Sequence, residues 1–233
     1  MMKETATAMG YSSAFLDDLN DRVLRQPAVR DASEYGPDQG ALEVFLTFRA
    51  LVLDADGVWW DGRESRSFVE EREPGALNGA SRVVVHKTRD LRDGQGLSFL
   101  RALGVRVLFA TAEGEPLVSC VEKLNRLPSV SAGRWPPVDV LTGLRGGKAG
   151  HVSRWLEVHG LSWDDVVYVG DDRTDAEAMR LARMVVVPWD AQRVALRLAH
   201  LRLTKPGGGG AIRELAELVI DARGADEERL PDA

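Results

Sequence analysis

The chain of 233 residues has one cysteine, four histidines and no long hydrophobic run, and each scarcity excludes a class of protein. Cys120 alone rules out an intramolecular disulfide and any cysteine-built zinc cluster. It lies in an apolar helical pattern, where a packed thiol is the expected role. His86, His151, His159 and His200 have no metal-ligand spacing and read as ordinary surface or core residues. The segment from Met1 to Gly10 lacks the apolar centre of a signal peptide, and no later stretch reaches the roughly 20 apolar residues that span a bilayer. Basic residues are also in deficit, with 30 Lys and Arg against 36 Asp and Glu and a formal charge of -6. That balance argues against nucleic acid and anionic membranes as partners. A soluble, cytoplasmic chain with local basic groups for any anionic ligand is the expectation.

What is present is organised around Arg49 to Gly62, where the apolar run Ala50 to Leu53 ends in Asp54-Ala55-Asp56-Gly57. Side chains alternate faces along a strand, so Asp54 and Asp56 leave it on one side and share one mouth. Gly57 is free to turn the chain behind them. Two adjacent carboxylates repel unless a cation sits between them or one holds a proton, and catalysis uses both remedies. Taken alone the pattern is also that of a polar turn after a strand.

Upstream, residues 1–48 read as an N-terminal extension. It holds a short amphipathic helix through Phe15, Leu16, Leu19 and Val23 and a polar linker from Asp31 to Gln39. Downstream, Arg66 to Glu71 and Arg82 to Thr88 form the arms of a β-hairpin around Pro74, Gly75, Asn78 and Gly79. Helix and strand then alternate. A helix from Gln95 stops at Gly104, the strand Val105 to Ala110 follows, and then a helix around Pro116 to Leu124. The strand Val138 to Leu141, the helix Lys148 to His159 and the strand Val166 to Val169 come next. A helix at Asp175 to Arg183, the strand Met184 to Val187, a helix near Ala191 to Leu198 and a last helix from Ala211 to Ala222 complete the series. Such repetition predicts an α/β fold, a parallel sheet between helices, spanning 49–224 and followed by an acidic tail at 225–233. In that architecture ligands bind beyond the carboxyl ends of the strands. Asp54, Asp56, Thr111, Asp171 and Asp172 lie there, with Lys148 at a helix start.

Singly, Thr111 reads as a helix N-cap, Lys148 as a solvated lysine and Asp175 as a residue favouring a helix N-terminus. For Asp175 that structural reading is kept. Together, Asp54-Ala55-Asp56-Gly57-Val58, Thr111, Lys148 and Gly170-Asp171-Asp172-Arg173-Thr174-Asp175 resemble the motifs of the haloacid dehalogenase superfamily of phosphatases. The resemblance implies a Rossmann-like core, Asp54 as nucleophile and Asp56 as general acid and base. It also implies Mg²⁺ held by the Asp54 side chain, the Asp56 backbone carbonyl and the Asp171 side chain, with Asp172 nearby. Lys148 would offset charge, and Thr111 with the following N–H groups, from Ala112 on, would cradle phosphate.

The intervals Asp54 to Thr111 and Thr111 to Lys148 leave no room for a cap domain. A second and narrower resemblance is carried by Gly207-Gly208-Gly209-Gly210-Ala211-Ile212-Arg213-Glu214 and by Arg92-Asp93-Gly94. These are similar to segments of the capless 3-deoxy-D-manno-octulosonate 8-phosphate phosphatase family. It implies a homotetramer whose hairpins meet and whose neighbouring chains help to form each site. It also implies a phosphorylated sugar-acid substrate, for whose carboxylate Arg92, Lys205 and Arg213 are the candidate cations. Two departures bear on specificity: Thr111-Ala112-Glu113 stands where Thr-Gly-Arg is usual, and Trp60 stands where Thr is usual. Trp59 and Trp60 are close enough to the first motif to shape the pocket. Another sugar or nucleoside phosphate as substrate, and a non-catalytic interaction module, are the alternatives.

Overall fold

The computed structural model describes residues 30–31, 37–71, 80–226 and 230. The amphipathic helix expected around Phe15 to Val23, the turn of the hairpin and most of the acidic tail lie outside these residues. Strands β1 (Arg30–Asp31), β2 (Ala50–Leu53), β5 (Arg106–Ala110), β6 (Val138–Leu141), β7 (Val166–Val169), β8 (Met184–Val187) and β9 (Leu201–Arg202) form one sheet. Its order is β1-β9-β8-β7-β2-β5-β6, and every neighbouring pair is parallel. Strands β3 (Ser65–Glu71) and β4 (Ala80–His86) form the separate antiparallel hairpin.

The sheet's two faces follow from the period-two alternation of its strands. Leu51, Leu53, Val107, Phe109, Val167 and Val169 point to one face. There they pack with the helices α1 (Gln39–Thr47), α2 (Leu91–Ala102) and α8 (Ala211–Arg223), through Phe45, Leu97, Leu100, Ile212, Leu215 and Val219. Ala50, Val52, Leu108, Ala110 and Tyr168 point to the other face, against Val152, Trp155 and Leu156 of α5 (Lys148–Val158) and Met179 of α6 (Ala176–Met179). Both faces are therefore covered, which is why β2, β7 and β8 read as unbroken apolar runs. Among the described residues the remaining helices are α3 (Leu117–Asn125), α4 (Pro128–Ser131) and α7 (Arg193–Leu196).

Several elements differ from expectation. The polar stretch read as a linker contains Asp38, whose Oδ1 accepts from the Ala41 N–H at 2.8 Å and caps α1. Phe45 and Phe48 are buried, so the core begins upstream of the boundary expected at residue 48. Helix α2 starts four residues before Gln95, capped by Asp90. The helix expected from Asp175 to Arg183 is only a 3₁₀ turn (Arg173–Asp175) followed by the short α6.

Chain direction reverses beside β2. From β2 the connection leads outward to β5 and β6, and α5 then returns it to β7 on the opposite side. The carboxyl ends of β2, β5 and β7 thus surround a crevice at the centre of the sheet.

Candidate active site

Asp54, Asp56, Thr111, Ala112, Lys148, Asp171 and Asp172 line one cleft of about 240 Å³ at that crevice, joined by Gly57, Gly62, Glu113 and Thr174. Four separate chain segments meet there because parallel strands bring their carboxyl ends to one rim. The loop after β2 is tightly fixed. Asp54 N–H donates to the Val169 carbonyl at 3.0 Å, and Trp59 and Trp60 N–H both donate to the Ala55 carbonyl at 2.8 and 2.9 Å. Gly57 has φ +77°, and a Cβ there would stand 2.0 Å from Asp171 Oδ2. Any side chain at residue 57 would therefore displace the Asp171 carboxylate from the cleft.

Lys148 is 2 % exposed, and its Nζ lies 2.8 Å from both Asp54 Oδ2 and Asp175 Oδ1. Burial opposes its charge, but Asp175 and Asp54 outweigh burial and hold the ammonium above its ordinary pKa. Asp54 Oδ1 accepts from the Ala55 N–H at 2.7 Å. Burial first, and then the Asp175 carboxylate, push Asp54 up to about 6 against the pull of Lys148. Burial and the carboxylates of Asp175, Asp54 and Asp172 push Asp171 up to about 8. Oxygens of Asp54, Asp171 and Asp175 all lie within 4.8 Å of one another. One lysine cannot balance three carboxylates, and an all-oxygen donor set of this charge fits a hard divalent cation such as Mg²⁺.

Asp175 replaces Asp172 in that cluster. It is fully buried, and its Oδ1 also accepts from Tyr168 Oη at 2.8 Å while its Oδ2 accepts from the N–H groups of Asp171 and Asp172 at 3.2 and 3.3 Å. The expected helix-start role is real, since Asp172 and Asp175 close a capping box. Sequence reasoning missed its second task of holding Lys148. Asp172 sits at the cleft's lip, where its Oδ1 accepts from the Arg173 N–H at 2.6 Å. Thr111 is 1 % exposed and its hydroxyl accepts from the Glu113 N–H at 3.1 Å, fixing the loop after β5.

Lys87 was also missed, because nothing marks a lysine at the end of a hairpin arm as part of a site. Its Nζ lies 2.6 and 2.8 Å from the two carboxylate oxygens of Asp56.

The three cations expected to meet a substrate carboxylate do not line this cleft. Arg92 pairs with Asp90 at 2.5 Å on an exposed surface. Arg213 pairs with Glu217 at 2.6 Å and stacks over Phe99. Lys205 is exposed beyond the rim, its N–H bonded to Glu214 at 2.9 Å. Trp59 and Trp60 are buried in the core, Trp59 edge-on to Phe109 at 5.4 Å, and do not line the cleft. The glycine-rich segment docks on its own chain. Gly208 N–H donates to the Val58 carbonyl at 2.9 Å, and a Cβ at Gly207 would stand 1.9 Å from the Gly57 carbonyl oxygen. Asp93 holds the segment's end by accepting from the N–H groups of Gly210 and Arg213 at 3.1 and 2.9 Å.

No family model matches the chain. Among curated proteins it is 26 % identical over 201 residues to 3-deoxy-D-manno-octulosonate 8-phosphate phosphatase KdsC of Escherichia coli K12, covering 84 % of this chain and 93 % of the relative. It is also 26 % identical over 173 residues to an N-acylneuraminate cytidylyltransferase of Oncorhynchus mykiss, covering 74 % of this chain. The match spans only about a third of that longer relative, 35 %. A solved structure of similar fold is 3-deoxy-D-manno-octulosonate 8-phosphate phosphatase from Moraxella catarrhalis, in complex with magnesium ion, phosphate ion and a KDO molecule. Its TM-score is 0.60 at 21 % identity, covering 78 % of this chain and 91 % of that one. The seven-stranded parallel sheet, the four motif segments around one crevice and these likenesses agree: the chain is similar to phosphatases of the haloacid dehalogenase superfamily.

Proposed function

We propose that the chain hydrolyses a phosphomonoester through an aspartyl-phosphate on Asp54. The observation that carries this reading is a buried Asp54 held by Lys148 at the bottom of a polar cleft, with Asp56 at the same mouth. Asp54 attacks phosphorus as the bond to the leaving oxygen breaks, and Asp56 gives that oxygen its proton. Water then attacks the same phosphorus, leaves its proton on Asp56 and frees Asp54 and inorganic phosphate. Lys148 keeps Asp54 oriented and offsets the negative charge that gathers in the cleft. The Thr111 hydroxyl and the N–H groups after it, from Ala112, are the proposed cradle for phosphate oxygens.

Mg²⁺ is the proposed cofactor, held by the side chains of Asp54 and Asp171 and the backbone carbonyl of Asp56, with Asp172 nearby. When bound, the ion supplies the charge that lets a carboxylate approach a phosphate dianion. The raised pKa values of Asp54 and Asp171 and the magnesium in the Moraxella relative support it.

The proposed substrate is a sugar-acid phosphate, similar to 3-deoxy-D-manno-octulosonate 8-phosphate. Support comes from the names of two groups of relatives, one for an octulosonate and one for an N-acylneuraminate, both acidic sugars. The proposed assembly is a homotetramer meeting at the hairpins, supported by the exposure of Phe68 at 75 % opposite Val83 at 48 %. Arg92, Lys205 and Arg213 would then reach a substrate carboxylate only across an interface between chains. A panel of 3-deoxy-D-manno-octulosonate 8-phosphate, nonulosonate 9-phosphates, neutral hexose phosphates and nucleoside monophosphates, ranked by kcat/KM, tests the substrate. The acidic sugars should lead, and preference for neutral hexose phosphates or nucleotides would overturn that part alone.

A further inference from the structure

Lys87 has no role in the chemistry described so far, yet its side chain is only 5 % exposed and it is bonded to Asp56, which lines the cleft. A lysine loses solvation on burial and stays charged only beside carboxylates. Lys87 has two. Both oxygens of Asp56 are within 2.8 Å of its Nζ, and Glu113 Oε2 is 3.9 Å away. The three residues come from three places: Asp56 from the loop after β2, Glu113 from the loop after β5, and Lys87 from the residue that follows β4. The base of the hairpin is itself fixed to the first loop, since the Asp61 N–H donates to the Thr88 carbonyl at 3.1 Å.

The partners differ in freedom. Asp56 is 38 % exposed and Glu113 50 % exposed, so each carboxylate alone could turn toward solvent, whereas the buried ammonium cannot follow. A carboxylate bonded through both oxygens to a fixed cation keeps one orientation. Two lysines thus each stand between two carboxylates: Lys148, in the cleft, between Asp54 and Asp175, and Lys87, behind its wall, between Asp56 and Glu113.

Resting on the hydrolytic reading above, we infer that Lys87 is the positioning residue for Asp56, and that Glu113 is its second anchor. Lys87 sets where the Asp56 carboxyl stands relative to the leaving oxygen. Glu113 lines the cleft and also approaches the lysine, at 3.9 Å. The hairpin then has a chemical task in its own chain, which is to deliver Lys87. The bonds made and broken are unchanged: the proton goes from Asp56 to the leaving oxygen in the first step and from water to Asp56 in the second.

A positioned acid matters most when the leaving group is poor, because a good leaving group departs without a proton. The test compares phenyl phosphate with p-nitrophenyl phosphate, hydrolysed by the full chain with Mg²⁺. Lys87→Met should lower kcat for phenyl phosphate by about tenfold more than for p-nitrophenyl phosphate, a tenth to a thousandth of what a general acid supplies. Lys87→Arg should restore part of the ratio. Glu113→Gln, at an exposed position that the fold tolerates, should shift the same ratio in the same direction by less. In an Asp56→Asn background Lys87→Met should cost nothing further. Equal losses for the two esters, or a full additional loss in the Asp56→Asn background, would overturn the inference; if Lys87→Met does not fold, an unchanged ratio in Glu113→Gln does so. Absence of hydrolysis of either ester by the unsubstituted chain would instead overturn the hydrolytic reading.

Discussion

At the scale of single residues, the site is a problem of charge. Asp54, Asp171 and Asp175 stand within 4.8 Å, and Lys148 is bonded to only two of them. Protons and a divalent cation compete for the remaining charge. In the ion-free cleft Asp54 titrates at about 6 and Asp171 at about 8, both raised chiefly by burial. Cation binding needs both ionised, so below pH 6 two protons must leave and above pH 8 none. Mg²⁺ affinity should therefore rise as pH increases from 6 to 8 and level off above, with protons released on binding. Calorimetric titration in buffers of different ionisation enthalpy measures both; an affinity constant across that range would contradict the charge balance described here. Asp54, Asp56, Thr111, Lys148 and Asp171 were legible in the sequence because each follows an apolar strand or opens a helix at a strand-end rim. Asp175 was legible only as a cap. Its bond to Lys148 joins residues 27 apart, and no local pattern encodes that.

At the scale of elements, legibility followed burial. The strands β2, β7 and β8 coincide with their apolar runs, because a strand covered on both faces must be apolar throughout, whereas the edge strand β6 keeps its expected bounds although it carries Asp139 and is only partly buried. The two-residue strands β1 and β9 carry no such signal. Helix α1 was hidden because only Phe45 in it is buried, with Leu42 and Leu46 exposed at 37 and 52 %. What attaches it is distant in sequence. Arg223, near the end of α8, donates to the carbonyls of Phe45, Phe48 and Leu103 at 2.9, 2.8 and 3.0 Å, and so serves the ends of both α1 and α2. Arg223→Ala leaves these acceptors without their donor and should lower unfolding free energy by about 2–4 kcal/mol. Denaturant unfolding checks this; a change under about 0.5 kcal/mol, the scale of an ordinary surface substitution, would mean that α1 is held by packing alone.

At the scale of the whole molecule, a capless cleft and an apolar hairpin face belong together. Phe68, Val83 and Val85 are exposed on β3 and β4, an arrangement expected to be covered by another chain. Light scattering at assay concentration should give four chains per particle, and Phe68→Lys should reduce it. A fully active monomer would contradict the shared-site assembly. The glycine-rich segment was expected from resemblance, but its docking on Gly57 and Val58 of its own chain depends on close backbone approach that a sequence does not display. The central claim is chemical and rests on Asp54. The most direct measurement is phosphate release from the best substrate of the panel with Mg²⁺, for the unsubstituted chain and for Asp54→Asn. EDTA should abolish release, and Asp54→Asn should lower it by about 10³-fold or more, the scale of losing a residue on which the chemistry depends. Near-full phosphate release by a folded Asp54→Asn protein would contradict it.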